Sequence, residues 1–267
     1  MLSRRPNDGG RAAGDVSAFA EASRSYPRRV DADADLAATA ALIGDGTRAR
    51  MLLALLDGRP RAAGDLAREA GVSAGTASQH LARLLDGGLL SVSASGRHRF
   101  YALASAQVAA ALETLAAISP RRPVRSLRQA NAGERLHQAR SCYDHLAGRI
   151  GVLVSDALVE RGAIAPLASG QTGTLLERDH PLLAELGVTI PVEPPPTRRP
   201  VVRGCLDWTE RRPHLAGHLG ASLLTALLER GWLERRAADR ALTLTRAGAG
   251  RLAGVLEIPA EQLGPLP

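Results

Sequence analysis

One stretch constrains this chain more than any other. From Asp65 to Asp86, two runs of helically spaced apolar residues are joined by the turn Glu69-Ala70-Gly71-Val72-Ser73. Glycine takes the left-handed conformation that redirects a chain between two packed helices. Ser73 is a helix-capping residue type, so the second helix opens there, runs to Asp86 and stops at Gly87-Gly88. On a helical wheel centred on Leu81, residues Ala77, Leu84 and Leu85 fall within about 60° of it and form a core face. The opposite face carries Thr76, Gln79 and Arg83, with Gly75 and His80 at its flanks. Short or planar hydrogen-bonding side chains near a helix start, followed by an arginine, suit a helix lying in the major groove. An ordinary solvent-facing helix carries more glutamate, and here no acid precedes Asp86.

The flanking pattern completes a small domain. Leu36, Ala40 and Ile43 mark a first helix; after Asp45-Gly46-Thr47, a second carries Met51, Leu52, Leu55 and Leu56 and ends at Asp57-Gly58. Leu66 and Ala70 mark the third. Beyond Gly88, Leu89 to Ala94 and Arg97 to Leu103 read as two strands either side of Ser95-Gly96, with Arg97, His98 and Arg99 clustered just past the tip. A basic wing there would reach the adjacent DNA backbone or minor groove. A helix with Val108, Leu112 and Leu115 follows, and the prolines of Ser119 to Pro123 place a domain boundary near residue 120.

Residues 35 to 115 resemble the winged-helix domain of the ArsR/SmtB family of bacterial repressors. The segments that carry the resemblance are Ile43-Gly44-Asp45-Gly46-Thr47-Arg48, Asp65-Leu66-Ala67, the run from Val72 to Leu81, and Gly96-Arg97 with Tyr101-Ala102-Leu103. It implies a homodimer joined through its first and last helices, bound to double-stranded DNA at an inverted-repeat operator and controlled by a small effector. The expected DNA-contacting set is Arg48, Ser73, Gly75, Thr76, Ser78, Gln79, His80, Arg83, Arg97, His98 and Arg99. The chain departs from the family at both usual metal sites. Arg61, Ala62, Ala63 and Gly64 stand where a cysteine pair precedes the third helix, and no histidine lies between Ala102 and Pro120.

The rest of the chain is read from composition and spacing. Hydrophobic residues make up 45% of the sequence but aromatics only 3%, so the core must be Leu, Ala and Val, which favours helices. The expected fold is mainly α with small β-wings. It comprises a basic disordered arm over 1–30, a winged helix-turn-helix domain over 31–118, and a mostly helical effector and dimerisation domain over 119–267. Leu136, Ala139, Tyr143, Leu146, Ile150, Leu153 and Ala157 recur at spacings of three and four, predicting one long helix. After the proline-rich Pro191 to Pro200, Pro213 reads as the first residue of a helix reaching Arg230. Gly231-Trp232-Leu233, a turn at Ala238-Asp239, Leu242-Thr243-Leu244 and a capping Thr245 then repeat the order helix, strand, turn, strand, helix. A second, degenerate winged helix fits that order.

Chemistry in the second half centres on the two cysteines. Cys142 and His145 lie three apart, Cys205 lies upstream of His214, and His218 follows four residues later. Two thiolates and two imidazoles are the preferred ligands of tetrahedral zinc. Cys142, His145, Cys205, His214 and His218 are therefore the candidate effector residues, for zinc or another soft metal or for thiol modification at Cys142 and Cys205, with Arg149 expected to lower the Cys142 pKa. Plain burial of each cysteine as a small hydrophobe is the alternative.

The formal charge is +7, and all 34 basic residues are arginine, the side chain suited to bidentate phosphate contact. Two cysteines make no disulfide framework, no apolar run reaches membrane-spanning length, and no apolar leader opens the chain, so a cytoplasmic location is expected. Residues 120 to 267 contain neither Gly-x-Gly-x-x-Gly nor Cys-x-x-Cys, which argues against an enzyme. The reading is a sequence-specific DNA-binding regulator, a repressor in type. Its rivals are a nonspecific architectural DNA binder and a regulator fused to a small enzyme domain.

Overall fold

Apolar side chains gather into two separate cores in the computed structural model, which describes residues 33–120, 123–190, 199–236 and 239–264. The 1–30 arm, most of the Pro191 to Pro200 stretch and Ala238 lie outside the described residues.

The first core is built by helices α1 (Leu36–Ile43), α2 (Gly46–Ala54), α3 (Ala63–Ala70), α4 (Ala74–Asp86) and α5 (Ala106–Ile118), with strands β1 (Arg61–Ala62), β2 (Leu90–Ser95) and β3 (His98–Leu103). Asp45 caps α2, accepting from the Thr47 and Arg48 amides, and Ser73 caps α4, accepting from Thr76. Gly71, at φ 69°, closes α3 in the left-handed conformation that turns the chain toward α4. Met51, Leu52, Leu66, Leu81 and Leu84 are fully buried here. Each leucine contributes about 1.5–3 kcal/mol by leaving water. The wing is antiparallel in the order β1-β3-β2; Ser95 pairs with His98, which puts the tip at Gly96-Arg97, one residue beyond the expected Ser95-Gly96.

The second core belongs to residues 139–263. Helix α6 (Leu127–Gln138) leads into a tight hairpin, β4 (Arg140–Cys142) and β5 (His145–Ala147), and then α7 (Arg149–Glu160). A short strand, β6 (Thr172–Gly173), pairs with β7 (Val202–Leu206), which pairs with β8 (Pro213–Ala216). Helix α8 (Pro181–Glu185) lies between β6 and β7 in sequence. Helix α9 (Gly217–Glu229), the β9 (Leu233–Arg235) and β10 (Leu242–Leu244) hairpin, and α10 (Arg246–Leu256) follow in the helix, strand, turn, strand, helix order read from the sequence.

Two expectations are corrected. The seam from Leu136 to Ala157 is not one helix. Ala139 turns extended at the end of α6, Tyr143 takes φ 60°, and Gly148 takes φ 81° before α7, so a hairpin interrupts it. Most of the seam is nonetheless buried in the second core, while Tyr143 packs against the first. Pro213 opens strand β8 rather than a helix; lacking an N–H, it suits a strand's first residue, and α9 starts only at Gly217.

Candidate functional site

Helix α4 is two-sided. Ala77, Leu81 and Leu84 are buried, while Ser73, Gly75, Thr76, Ser78, Gln79 and Arg83 are exposed. Ser73 Oγ and Thr76 Oγ1 lie 2.9 Å apart, and Ser78 donates to the Ala74 carbonyl, so these hydroxyls also finish the helix's first turn. Arg97, His98 and Arg99 are exposed at and beside the wing tip. Two members of the expected set lie elsewhere. Arg48 is buried, with Nε donating to the Leu42 carbonyl and a terminal nitrogen to the Ala41 carbonyl, both at 2.6 Å. Its charge satisfies the carboxyl end of α1, where a cation is favoured, and does not face outward. His80 is mostly covered, its Nδ1 3.5 Å from an Asp45 carboxylate oxygen.

The second half assembles a polar group from two hairpins, with Cys142, His145 and His214 buried and Cys205 half-buried. Cys142 stands directly opposite His145 across β4 and β5, and Cys205 directly opposite His214 across β7 and β8. Directly opposed residues of an antiparallel pair project from the same face, so each hairpin offers one thiol and one imidazole side by side. The hairpins bring the pairs together: the ligand atoms of Cys142, His145, Cys205 and His214 all lie within 4.8 Å of one another. The two sulfurs are 3.8 Å apart and unbonded, and the two imidazoles stack with centroids 5.0 Å apart. His218, on α9, is not one of the four that converge.

Carboxylates organise this group from behind. Asp207 is fully buried and accepts from Arg140 at 2.9 Å, from the Gly148 amide at 2.6 Å, and from the Thr209 hydroxyl and the Thr209 and Glu210 amides. Arg140, also fully buried, stacks on the Trp208 ring at 4.7 Å. One Asp207 oxygen lies 3.7 Å from His214 Nδ1. On the other side Asp144, gripped by both terminal nitrogens of Arg199, lies 3.3 Å from His145 Nδ1. His145 Nε2 and both ring nitrogens of His214 are buried without a hydrogen-bond partner. Leaving such a group unsatisfied costs about 1–3 kcal/mol.

The charges are tuned accordingly. Burial raises the Asp207 carboxyl, but the Arg140 charge and the Thr209 hydroxyl outweigh it and hold the group well below the carboxylate range. Burial likewise opposes ionisation of Asp144, yet hydrogen bonds from His145 and Arg199 bring it down to about 2. His145 is driven down by burial and up, to about 9, by the Cys142 sulfur and Asp144; His214 is held well below the ordinary histidine value, by burial first and then by the charge of His145. Cys142 is pushed up by its contact with Cys205 and by burial, so the low thiol pKa expected from Arg149 is not found; Arg149 is exposed. A donor set of two thiols and two imidazoles can hold a metal ion, and a bound cation would reverse this balance by favouring thiolates and neutral imidazoles.

Sequence reasoning missed three residues. Arg140 and Asp207 build the frame of the group. Tyr143, between Cys142 and His145, docks on the first core: its amide donates to the Leu56 carbonyl, and a Cβ at Gly58 (φ 71°) would collide with its carbonyl oxygen. Buried Glu113 of α5 likewise pairs with Arg240, and Arg59 donates to the Arg236 and Asp239 carbonyls.

Residues 43–93 match a family model described as a helix-turn-helix domain. The chain is 39% identical over 214 residues to YdfF of Bacillus subtilis, an uncharacterised HTH-type transcriptional regulator, covering 80% of this chain and 93% of YdfF. Among solved structures, reduced HlyU from Vibrio cholerae is 28% identical, covering 32% of this chain and 88% of its own, with a TM-score of 0.29. The cadmium sensor CMTR from Mycobacterium tuberculosis is 35% identical, covering 35% of this chain and 100% of its own, with a TM-score of 0.28.

Proposed function

Because the chain belongs to the family of HTH-type transcriptional regulators that YdfF represents, we propose that it is a sequence-specific repressor of the ArsR type whose effector is sensed at the Cys142, His145, Cys205 and His214 group. Helix α4 carries the reading: one face closes the first core, and the other offers Thr76, Gln79 and Arg83 beside an exposed basic wing. In this role Gln79 reads a base edge, Thr76 a base edge or phosphate, and Arg83 a guanine or phosphate, while Arg97, His98 and Arg99 follow the backbone. Arg48 and His80 act from behind, fixing α1 and the start of α2.

The working unit is a homodimer on an inverted repeat. Helix α1, Leu-Ala-Ala-Thr-Ala-Ala-Leu-Ile, buries none of its residues, and α5 leaves Leu115 41% and Ile118 78% exposed. Apolar helix faces of this kind are covered by a second copy in a symmetric dimer. No helix among the described residues is long and apolar enough to cross a membrane, and the reading places the protein on cytoplasmic DNA, without enzymatic activity.

The test is selection of duplexes from a random pool by the full-length protein, followed by competition with unrelated DNA. A near-palindrome with half-sites about one helical turn apart, preferred by about a thousandfold or more, is expected. Enrichment of no sequence would contradict the reading and favour architectural binding.

A further inference from the structure

Each imidazole of the Cys/His group has a carboxylate beside its Nδ1 and an unsatisfied Nε2. His145 Nδ1 lies 3.3 Å from Asp144, which Arg199 holds, and His214 Nδ1 lies 3.7 Å from Asp207, which Arg140 holds. Metal-ligating histidines are oriented in this way, with Nδ1 turned to a carboxylate and Nε2 given to the ion. The 3.8 Å separation of the two sulfurs fits the same reading. Two ligands of a tetrahedral ion with metal–sulfur bonds of about 2.3 Å stand about 3.8 Å apart, whereas a disulfide needs about 2.05 Å. A thiol pair built for oxidation gives no role to two buried histidines with unpartnered nitrogens.

We propose that Cys142, His145, Cys205 and His214 bind one borderline-soft divalent cation of the zinc class in a closed, four-coordinate site, and that the hairpin tip at Tyr143 carries its loading to the winged helix. The coupling rests on the regulatory reading above; the metal site does not. Four ligands of the two-thiolate, two-imidazole type are the complement that zinc takes when no position is left open to substrate. Binding displaces to solvent the proton of each thiol and any proton on the ligating ring nitrogens, and leaves two thiolates and two neutral imidazoles. The tip is then tied at both ends, because Cys142 and His145 flank Tyr143-Asp144. Tyr143 packs on the first core and bonds to the Leu56 carbonyl, just before the strand β1 that leads to α3 and α4. Without the ion these four side chains meet through the 3.8 Å sulfur contact and the stacked imidazoles, and the tip is less firmly placed.

The experiment uses the full-length protein, stripped of metal by a chelator under reducing conditions and given Zn2+ or Co2+ alone. Native mass spectrometry should show one ion per chain, and Co2+ should give the intense visible bands of a tetrahedral site with thiolate-to-cobalt charge transfer. Cys205, the half-buried thiol, should become protected from alkylation. Cys205→Ser should weaken the charge-transfer band, and Cys142→Ser serves as the second variant. No retained ion, a six-coordinate cobalt spectrum, or thiols that oxidise to a disulfide equally with and without Zn2+ would overturn the site.

The coupling is read separately, as the affinity of apo and Zn2+-loaded protein for DNA selected by the full chain. A change of about 5–150-fold is expected. Tyr143→Gly suits the positive φ and retains all four ligands. It should keep the cobalt spectrum yet lose the change in affinity, and Tyr143→Phe should restore it. A loaded protein with unaltered DNA affinity would overturn the coupling while leaving the DNA-binding reading intact; loss of DNA specificity in both forms would overturn the regulatory reading while the cobalt spectrum still decided the site.

Discussion

Asp207→Ala is expected to be among the most damaging single substitutions in the second half of the chain. The residue is fully buried and pairs with an equally buried Arg140 at 2.9 Å. Removing one partner of such a pair costs about 3–5 kcal/mol, because the other charge stays behind without compensation. Arg140 would keep the Leu136 carbonyl, the Thr209 hydroxyl and the Trp208 ring, none of which bears a negative charge. The Gly148, Thr209 and Glu210 amides would also lose their shared acceptor, which places the cost at the upper end of that range. With a urea slope of about 3 kcal/mol/M, the midpoint should fall by about 1–2 M at unchanged slope. Arg140→Met leaves Asp207 its three amides and the Thr209 hydroxyl and fills much of the vacated volume, so its shift should be smaller. Equal shifts, or a loss below about 1 kcal/mol for Asp207→Ala, would refute the claim that this carboxylate holds the group together.

Gln79→Ala should relax the preference at one base position and cost about 1–3 kcal/mol on the selected duplex, measured by fluorescence anisotropy. Arg97→Ala or Arg99→Ala should weaken all duplexes alike and reduce the salt slope by about 1. Arg48→Ala should instead lower the unfolding midpoint and leave the salt slope of the folded protein unchanged, since its guanidinium is spent on the Ala41 and Leu42 carbonyls. Leu115→Glu combined with Ile118→Glu should shift the protein toward monomer in sedimentation equilibrium; an unaltered dimer would remove α5 from the interface.

The winged helix was legible because its signals are local. Periodicity, the Ser73 cap and the Gly71 turn each act within a few residues, and the structure shows the core face of α4 with Ala77, Leu81 and Leu84 buried. Arg48 was misjudged because nothing in its neighbours says which way a long side chain on the first turn of α2 will swing. In the second half, spacing identified buried positions but not the path connecting them. Leu136 to Ala157 mixes helix and strand, and a two-residue turn with Tyr143 at positive φ looks no different in spacing from one helical turn. The convergence of Cys142, His145, Cys205 and His214 followed from residue type and from each thiol having a histidine nearby in sequence; the cross-strand pairs are local to each hairpin, but the meeting of the two hairpins depends on contacts about sixty residues apart. Arg140 was hidden among 34 basic residues, all arginine; Arg48 is buried as well, but among the described residues Arg140 is the arginine with no exposure at all.

The central claim is that one Cys/His group serves as a single ligand site. Zinc-edge X-ray absorption of the Zn2+-loaded full-length protein tests it most directly. The account predicts a first shell of two sulfurs at about 2.3 Å and two nitrogens at about 2.0–2.1 Å. A shell of nitrogen and oxygen alone, or a sulfur count that Cys142→Ser and Cys205→Ser leave unchanged, would contradict it.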